Sequence, residues 1–214
     1  MSEKLVILGG GESGIGSAVL GVKQGFDVFV SDAGTIAQEV QKELNQLGVS
    51  FEEGGHDLDV ILKASLVMKS PGIPDHIDLI QQIRSSDIKI VSEIEFASQY
   101  TDATLIGITG SNGKTTTTLL THHLLKESGL NVGVAGNIGY SFARQVAESD
   151  REVYVLEISS FQLDDIHKFQ PEVSVITNIT PDHLDRYQNN FSKYIASKMR
   201  IIENQTTNQF LVFN

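Results

Sequence analysis

Short runs of aliphatic and β-branched residues alternate along this chain with segments whose apolar positions recur at helical spacing, the pattern of parallel strands joined by crossover helices. The first run is Leu5-Val6-Ile7-Leu8. A glycine cluster follows, then a helix whose apolar side reads through Val19, Leu20 and Val22 and ends at Gly25. Asp27-Val28-Phe29-Val30 predicts a second strand closing on Asp32, and a helix running from Ile36 to Leu47 has Gly48 as its C-terminal stop. Leu66-Val67-Met68 and Ile88-Lys89-Ile90-Val91 are further short strands, with the turn cluster Ser70-Pro71-Gly72-Ile73-Pro74 between them.

Between Ser92 and Asp102 the pattern restarts. Thr104-Leu105-Ile106-Gly107-Ile108 predicts a strand, a second glycine loop follows, and Thr115 to Ser128 predicts a helix stopped by Gly129. Val153-Tyr154-Val155-Leu156 and Val173-Ser174-Val175-Ile176 read as buried strands, and Phe191 to Glu203 as a last helix. The apolar run Phe210-Leu211-Val212-Phe213 stands directly before Asn214. A core strand emerging there leads to the expectation of a truncated second unit. The chain reads as α/β, with two strand–glycine–helix units in tandem.

Composition narrows the classes. With 214 residues and 40% hydrophobic content, the chain can fill two cores. It holds no cysteine, which rules out a disulfide framework or a thiolate metal site and suits a reducing compartment. Met1-Ser2-Glu3-Lys4 leads into only a short apolar stretch, too short for a signal-peptide core, and no run approaches a membrane span. A cytoplasmic protein is expected. Net charge is −11, and residues 1–95 hold 15 acidic against 7 basic side chains. Such a chain lacks the cationic footprint that a nucleic-acid backbone demands, so nucleic acid is not an expected partner. Any phosphate it binds must be held locally, by backbone amides and a few placed cations.

Gly9-Gly10-Gly11-Glu12-Ser13-Gly14-Ile15-Gly16 fits G-x-G-x-x-G between a strand and a helix, and Asp32 ends the next strand. Glycines there let the backbone approach a pyrophosphate whose charge faces the helix N-terminus. A bare strand–helix turn and a nicotinamide or flavin dinucleotide site share this pattern. A second phosphate loop argues against a redox cofactor. Gly110-Ser111-Asn112-Gly113-Lys114-Thr115 departs from strict Walker spacing, since Ile108 stands where the first glycine would be. What is retained does the chemistry: amides of Gly113 to Thr115 can wrap a phosphate, Lys114 can reach β/γ oxygens, and the Thr115 hydroxyl can take a magnesium ion. A nucleoside triphosphate is the expected ligand.

The second loop, extended to Thr116, resembles the ATP loop of the Mur ligases. Gly136-Asn137-Ile138-Gly139, Glu157-Ile158-Ser159-Ser160-Phe161-Gln162-Leu163, Asp182-His183-Leu184-Asp185-Arg186-Tyr187 and Ser197-Lys198-Met199-Arg200 resemble the D-glutamate-adding branch of that family. With the first glycine loop and Ser70-Pro71-Gly72-Ile73, the resemblance covers essentially the whole chain. It implies an ATP-dependent ligase that joins D-glutamate to UDP-N-acetylmuramoyl-L-alanine through an acyl phosphate, in peptidoglycan precursor synthesis. It implies a Rossmann-like UDP-substrate-binding domain over 1–94, then over 95–214 the first part of a P-loop-type, mostly parallel α/β ATPase domain. The family's carboxy-terminal domain is expected to be absent, the piece by itself to have little ligase activity, and the protein to be a monomer. A sibling Mur ligase, a folylpolyglutamate synthetase-like ligase and a non-catalytic nucleotide-binding module are the other readings.

The same resemblance implies site residues. Lys114, Glu157, His183 and Lys198 are the expected catalytic positions. Gly110, Ser111, Asn112, Gly113, Lys114, Thr115 and Thr116 would hold ATP. Two magnesium ions would fall to Thr115, Glu157, His183 and Lys198, the lysine as its carbamate. Gly11, Glu12, Ser13, Gly14, Asp32, Ser70, Pro71, Gly72, Asn137, Ser159 and Gln162 would face the UDP substrate. Taken as bare residues, several have plainer jobs: Glu157 as a helix-capping acid, Asp182-His183 as a loop hydrogen bond, Lys198 as a surface lysine, and Asn137, Ser159 and Gln162 as strand-end hydrogen bonding. His122 and His123 match nothing and read as structural, and Asp164-Asp165 reads as a solvated helix start.

Overall fold

The aliphatic runs form two five-stranded sheets in which neighbouring strands are all parallel. The computed structural model describes residues 2–214. The first sheet comprises β1 (Lys4–Leu8), β2 (Asp27–Asp32), β3 (Ser50–Glu53), β4 (Leu66–Lys69) and β5 (Lys89–Val91), in the order β3-β2-β1-β4-β5. Its crossovers are α1 (Glu12–Lys23), α2 (Gln38–Gln46), α3 (Leu58–Ile61) and α4 (Asp78–Ser85). α5 (Glu93–Ser98), N-capped by the Ser92 hydroxyl, leads to the second sheet. That sheet contains β6 (Thr104–Thr109), β7 (Val132–Gly136), β8 (Val153–Glu157), β9 (Val173–Ile176) and β10 (Phe210–Phe213), ordered β10-β9-β6-β8-β7. Its helices are α6 (Lys114–Glu127), α7 (Phe142–Glu148), α8 (Ser160–Leu163) and α9 (Phe191–Met199), with 3-10 turns at Leu184–Tyr187 and Arg200–Ile202. Among the described residues, no helix is long and apolar enough to cross a membrane.

Leu5 to Leu8 of β1 are fully buried, and β6 buries all but Thr104 and Ile106, because helices cover both faces of each sheet. The elements that the hydrophobic pattern does not reveal are the half-polar edge strand β3, the glycine-containing edge strand β7, and the short helices α3, α4, α5, α7 and α8. Neither edge strand carries a clean apolar run. Two boundaries also differ. Ile36 precedes α2 as a buried residue of the entering loop, and the last helix tightens into a 3-10 turn at Arg200.

The two sheets are joined by packing and by buried charge. One apolar cluster passes from Leu5, Ile7 and Val28 through Phe96 and Phe142 to Tyr154 and Leu156. α1 lies so close to α7 that a Cβ on Gly16 would stand 1.8 Å from the Ser141 hydroxyl oxygen. That hydroxyl donates to the buried Glu93 carboxylate at 2.5 Å, and the same carboxylate oxygen, Oε1, accepts from the Ala143 N–H at 3.1 Å. Burial raises the Glu93 carboxyl above its usual range. Glu95, also buried, accepts backbone N–H groups of His167, Lys168 and Phe169 across the junction.

Asp165 corrects the solvated reading of Asp164-Asp165. It is 2% exposed and pairs at 3.0 Å with Lys69, itself 2% exposed, at the end of β4; Arg84 reaches its other oxygen at 2.9 Å. Asp164 is half-buried, accepts from the Tyr187 hydroxyl at 2.9 Å, and burial raises its pKa. Both side chains are turned into the domain junction.

Gly16→Ala is expected to destabilise the protein by about 1–3 kcal/mol through overpacking, although alanine favours a helix interior. Gly11→Ala, whose new carbon meets nothing within 4 Å, should lose at most about 1 kcal/mol as a poorer N-cap. Urea unfolding of the two variants compares them. Equal midpoints would show that the α1–α7 contact is not tight.

Candidate functional site

Both glycine loops leave the carboxyl ends of central strands, β1 and β6. The connections on either side lead away in opposite directions there, which opens a crevice at the strand ends. In the second loop, Gly110 has φ +151, and a Cβ there would meet the Thr177 hydroxyl oxygen at 1.9 Å, so no side chain fits. Gly113 is left-handed and caps α6. The first helical bond runs from the Thr117 N–H to the Gly113 carbonyl at 3.0 Å, which leaves the N–H groups of the first turn at the mouth of the loop. Lys114 folds back, donating from Nζ to the Gly110 and Ser111 carbonyls at 2.9 and 3.1 Å.

Glu157 ends β8 beside this loop and is 1% exposed. Its carboxylate accepts from Thr115 Oγ1 at 2.7 Å and from Asn137 Nδ2 at 2.8 Å, and the Asn137 N–H donates to its carbonyl at 2.7 Å. Both partners of the carboxylate are neutral. A buried anion supported by neutral donors alone carries an uncompensated desolvation penalty. With a threonine hydroxyl alongside, the pair fits a hard divalent cation such as magnesium. Among the described residues, no group of three or more His, Cys, Asp or Glu side chains is gathered for a metal. The rest of a coordination shell would therefore come from phosphate oxygens and water, as suits magnesium.

Lys198 is not a surface lysine. It is 2% exposed, its Nζ donates to the Gly110 carbonyl at 2.8 Å, and it lies 4.7 Å from the centre of the Tyr194 ring. Burial first, and the Lys114 charge second, push its amine down to about 8. Tyr194 in turn shares a hydrogen bond with the Ser111 hydroxyl at 3.1 Å. α9 thus touches the phosphate loop through two side chains four residues apart. His183 stands differently. It is 57% exposed, left-handed at φ 48, and paired with Asp182 by its N–H at 2.9 Å and its ring nitrogen at 3.5 Å. No hydrogen bond among the described residues joins it to Glu157 or Lys198. Phe161 lies against it at 5.5 Å and stacks on Tyr187, and the Arg186 guanidinium lies 4.4 Å from the centre of the Phe161 ring.

In the first loop, Gly14 lets α1 close on the turn: a Cβ there would sit 1.9 Å from the Gly9 carbonyl oxygen. Gly11 faces open space. Asp32 spends one oxygen on the Gly10 N–H at 2.6 Å and the other on the Gly34 N–H at 2.7 Å, so it ties the loop together. Glu12 accepts from the Ser141 N–H at 3.0 Å, and Ser13 lies against the Glu93 carboxyl. Ser70 adjoins Gly9, and Pro71 offers its carbonyl to Arg186 at 3.4 Å, with Gly72 exposed next to it. Ser159 and Gln162 form a reciprocal capping box at the start of α8. Sequence reasoning passes over Tyr194 and Tyr187. The i,i+4 spacing of Tyr194 and Lys198 was a usable signal; the Tyr187–Asp164–Ser197 contacts leave none.

Residues 3–92 match the family model for the Mur ligase MurD-like N-terminal domain, and residues 108–214 match that for the Mur ligase middle domain. The chain belongs to the Mur ligase family. This Mur ligase chain is 53% identical, over 100% of its length, to the UDP-N-acetylmuramoylalanine–D-glutamate ligase of Christiangramia forsetii. It is 52% identical over 99% of its length to the protein of that name from Bacteroides fragilis. It spans about half of either relative, 48% in both cases. Among solved structures, the UDP-N-acetylmuramate:L-alanyl-gamma-D-glutamyl-meso-diaminopimelate ligase from Neisseria meningitides superposes with a TM-score of 0.66 at 20% identity, covering 100% of this chain and 72% of that one. The UDP-N-acetylmuramate-alanine ligase of Thermotoga maritima gives 0.59 at 24% identity, covering 98% and 48%. At these identities the two structures establish the shared Mur ligase fold alone.

In magnesium-free buffer, replacing Glu157 by Gln should raise stability by about 1–3 kcal/mol, because a buried carboxylate bonded only to neutral donors is exchanged for a neutral group of the same shape. The same change should abolish any stabilisation by magnesium. Thermal unfolding with and without the ion tests both halves, and a magnesium-dependent shift that survives the substitution would remove Glu157 from the cation site.

Proposed function

We propose that this chain supplies the uridine-nucleotide-binding and ATP-activating parts of a ligase that joins D-glutamate to UDP-N-acetylmuramoyl-L-alanine. The observation that carries the reading is the phosphate loop whose Thr115 hydroxyl bonds a buried strand-end carboxylate, Glu157, in a chain half identical to ligases of that name. Residues 1–94 are assigned to the UDP substrate and 95–214 to ATP. The cytoplasm, where ATP is available, is the proposed compartment.

In the reaction, the alanine carboxylate attacks the γ-phosphorus of ATP, the bond to the β-bridging oxygen breaks, and ADP leaves. The D-glutamate amine then attacks the acyl phosphate carbon and loses a proton, and the tetrahedral intermediate expels phosphate. Bringing a carboxylate against a triphosphate crowds anions, so the chain's task is placement and charge neutralisation. Lys114 would exchange the Gly110 and Ser111 carbonyls for the β/γ oxygens, and the first-turn amides of α6 would cradle the same phosphates. Thr115 and Glu157 would hold one magnesium ion, and His183 with the carbamate of Lys198 a second. Bound there, magnesium supplies charge stabilisation to the transferring phosphoryl group. Carbamylation joins the neutral amine to the carbon of CO2 and releases a proton, turning a cation into an anionic ligand. The exposed faces of Gly11 and Gly72 support placing the UDP end at the first loop, with Asp32 already oriented by two amides.

Calorimetric titration should show binding of UDP-N-acetylmuramoyl-L-alanine and none of NAD. In a full-length ligase carrying these residues, an amino-acid panel should single out D-glutamate. Lys114→Ala should weaken ATP by about 10- to 100-fold, the loss of a charge-assisted contact, and leave the UDP substrate unchanged. Unaltered ATP affinity would sink the assignment. For Lys198, an amine pushed down to about 8 is about half neutral at pH 8 and largely protonated at pH 7. With 13C-labelled CO2 held constant, a carbamate carbonyl resonance should grow from about pH 7 to 9 and vanish in Lys198→Arg. A signal unaffected by that substitution would place the carbamate elsewhere.

A further inference from the structure

The phosphate loop is gripped along one side by the segment that follows β9. The Thr177 N–H donates to the Thr109 carbonyl at 3.0 Å, and the Ser111 N–H to the Asn178 carbonyl at 2.9 Å, so the β6–β9 ladder continues past the ends of both strands. At Asn112 the backbone partner runs out and a side chain takes its place. The Asn112 N–H donates to Asn178 Oδ1 at 3.0 Å, and Asn178 Nδ2 donates to the Asn112 carbonyl at 2.9 Å. The Thr177 hydroxyl reaches the same carbonyl at 2.7 Å, and Thr180 exchanges two hydrogen bonds with the Ser111 hydroxyl at 2.8 and 2.9 Å.

A carboxamide carries one donor group and one acceptor in a plane, as a peptide unit does. Asn178 therefore closes the ladder as a strand residue would, but from a chain already turning away. With the N–H groups of Ser111 and Asn112 consumed on this side, the amides from Gly113 onward are the first left to meet a phosphate. We propose that Asn178 is a positioning residue for nucleotide binding: its side chain stands in for a backbone unit, fixes Asn112, and so aims the amides from Gly113 onward into the cradle. The inference rests on the reading of this loop as an ATP site.

The test uses a full-length ligase carrying this chain and measures, by calorimetry, affinity for ATP and for the UDP substrate, alongside thermal unfolding. Asn178→Ala removes donor and acceptor; Asn178→Asp keeps the acceptor but sets a carboxylate against the Asn112 carbonyl. Both should weaken ATP by about tenfold or more, as the loss of two hydrogen bonds implies, while affinity for the UDP substrate stays within about twofold. Thr177→Val, nearly isosteric, should cost about threefold in ATP affinity with the melting temperature unchanged. A folded Asn178→Ala protein with native ATP affinity, or one that weakens both ligands equally, would overturn the proposal. If that variant does not fold, native ATP affinity in Thr177→Val overturns it instead. An unsubstituted protein that binds no ATP would defeat the functional reading and this inference together; one that binds ATP as tightly as its variants defeats this inference alone.

Discussion

The junction between the two sheets depends on charges that have left water. Lys69 and Asp165 meet with 2% of each exposed, and Glu95 gathers three consecutive backbone amides from the other side of the junction. Such groups are tolerated only while their partners are in register, since a buried charge that loses its partner costs about 3–5 kcal/mol. Apolar packing alone would allow the domains to slide; these contacts do not. The bare backbone of Gly16 against Ser141 adds a steric limit in the same place. The mouths of β1 and β6 are thereby held at one spacing. A ligand spanning them would find both ends placed, without the entropy of bringing two mobile domains together.

The second loop shows the opposite economy. Glu157 is kept as an anion among neutral partners, and Lys114 and Lys198 both direct ammonium groups at the carbonyl of Gly110. Two amines crowd one oxygen while a carboxylate lies buried nearby among neutral donors. Each arrangement is unfavourable alone, and each is relieved by the proposed ligands. A triphosphate would draw Lys114 away, magnesium would compensate Glu157, and a carbamate would reverse the sign at Lys198. Stability would then be held back at the position where charge is to arrive, as preorganised electrostatic sites require.

How much of this could be read from the chain depends on where each residue's partners lie. β1, β2, β6 and β8 announce themselves because strands covered on both faces must be apolar throughout. β3 and β7 do not, since these two edge strands mix polar residues or glycine into their runs, unlike the apolar edge strand β10. Thr115 lies on the phosphate loop and Glu157 at the end of an apolar run, so both were legible as strand-mouth residues. Their mutual hydrogen bond was not, because it joins positions 42 apart. Asp165 misled for the same reason: its partners Lys69 and Arg84 come from the other domain, and an acidic pair beside a short helix carries no local sign of them. Ser159 and Gln162 could have been read as a capping box from their three-residue spacing alone.

Net charge gives the loops their burden. At −11 the chain repels anionic ligands at long range, and the excess lies mostly in the first domain. Salt screens that repulsion within about 8 Å at physiological ionic strength, so binding must be decided by groups in contact with the phosphates. At the second loop those groups would include Lys114, with Lys198 behind it. The first loop has no basic side chain among Gly9 to Gly16 and keeps two acids, Glu12 and Asp32, at its rim. Both acids are already engaged by backbone amides, Asp32 by Gly10 and Gly34 and Glu12 by Ser141. Those contacts draw the carboxylates onto the protein and leave the α1 N-terminus and the open face of Gly11 as the surface for an anion. A diphosphate held there would rely on oriented amides rather than on opposite charge, the contact that an acidic protein can offer without altering its surface.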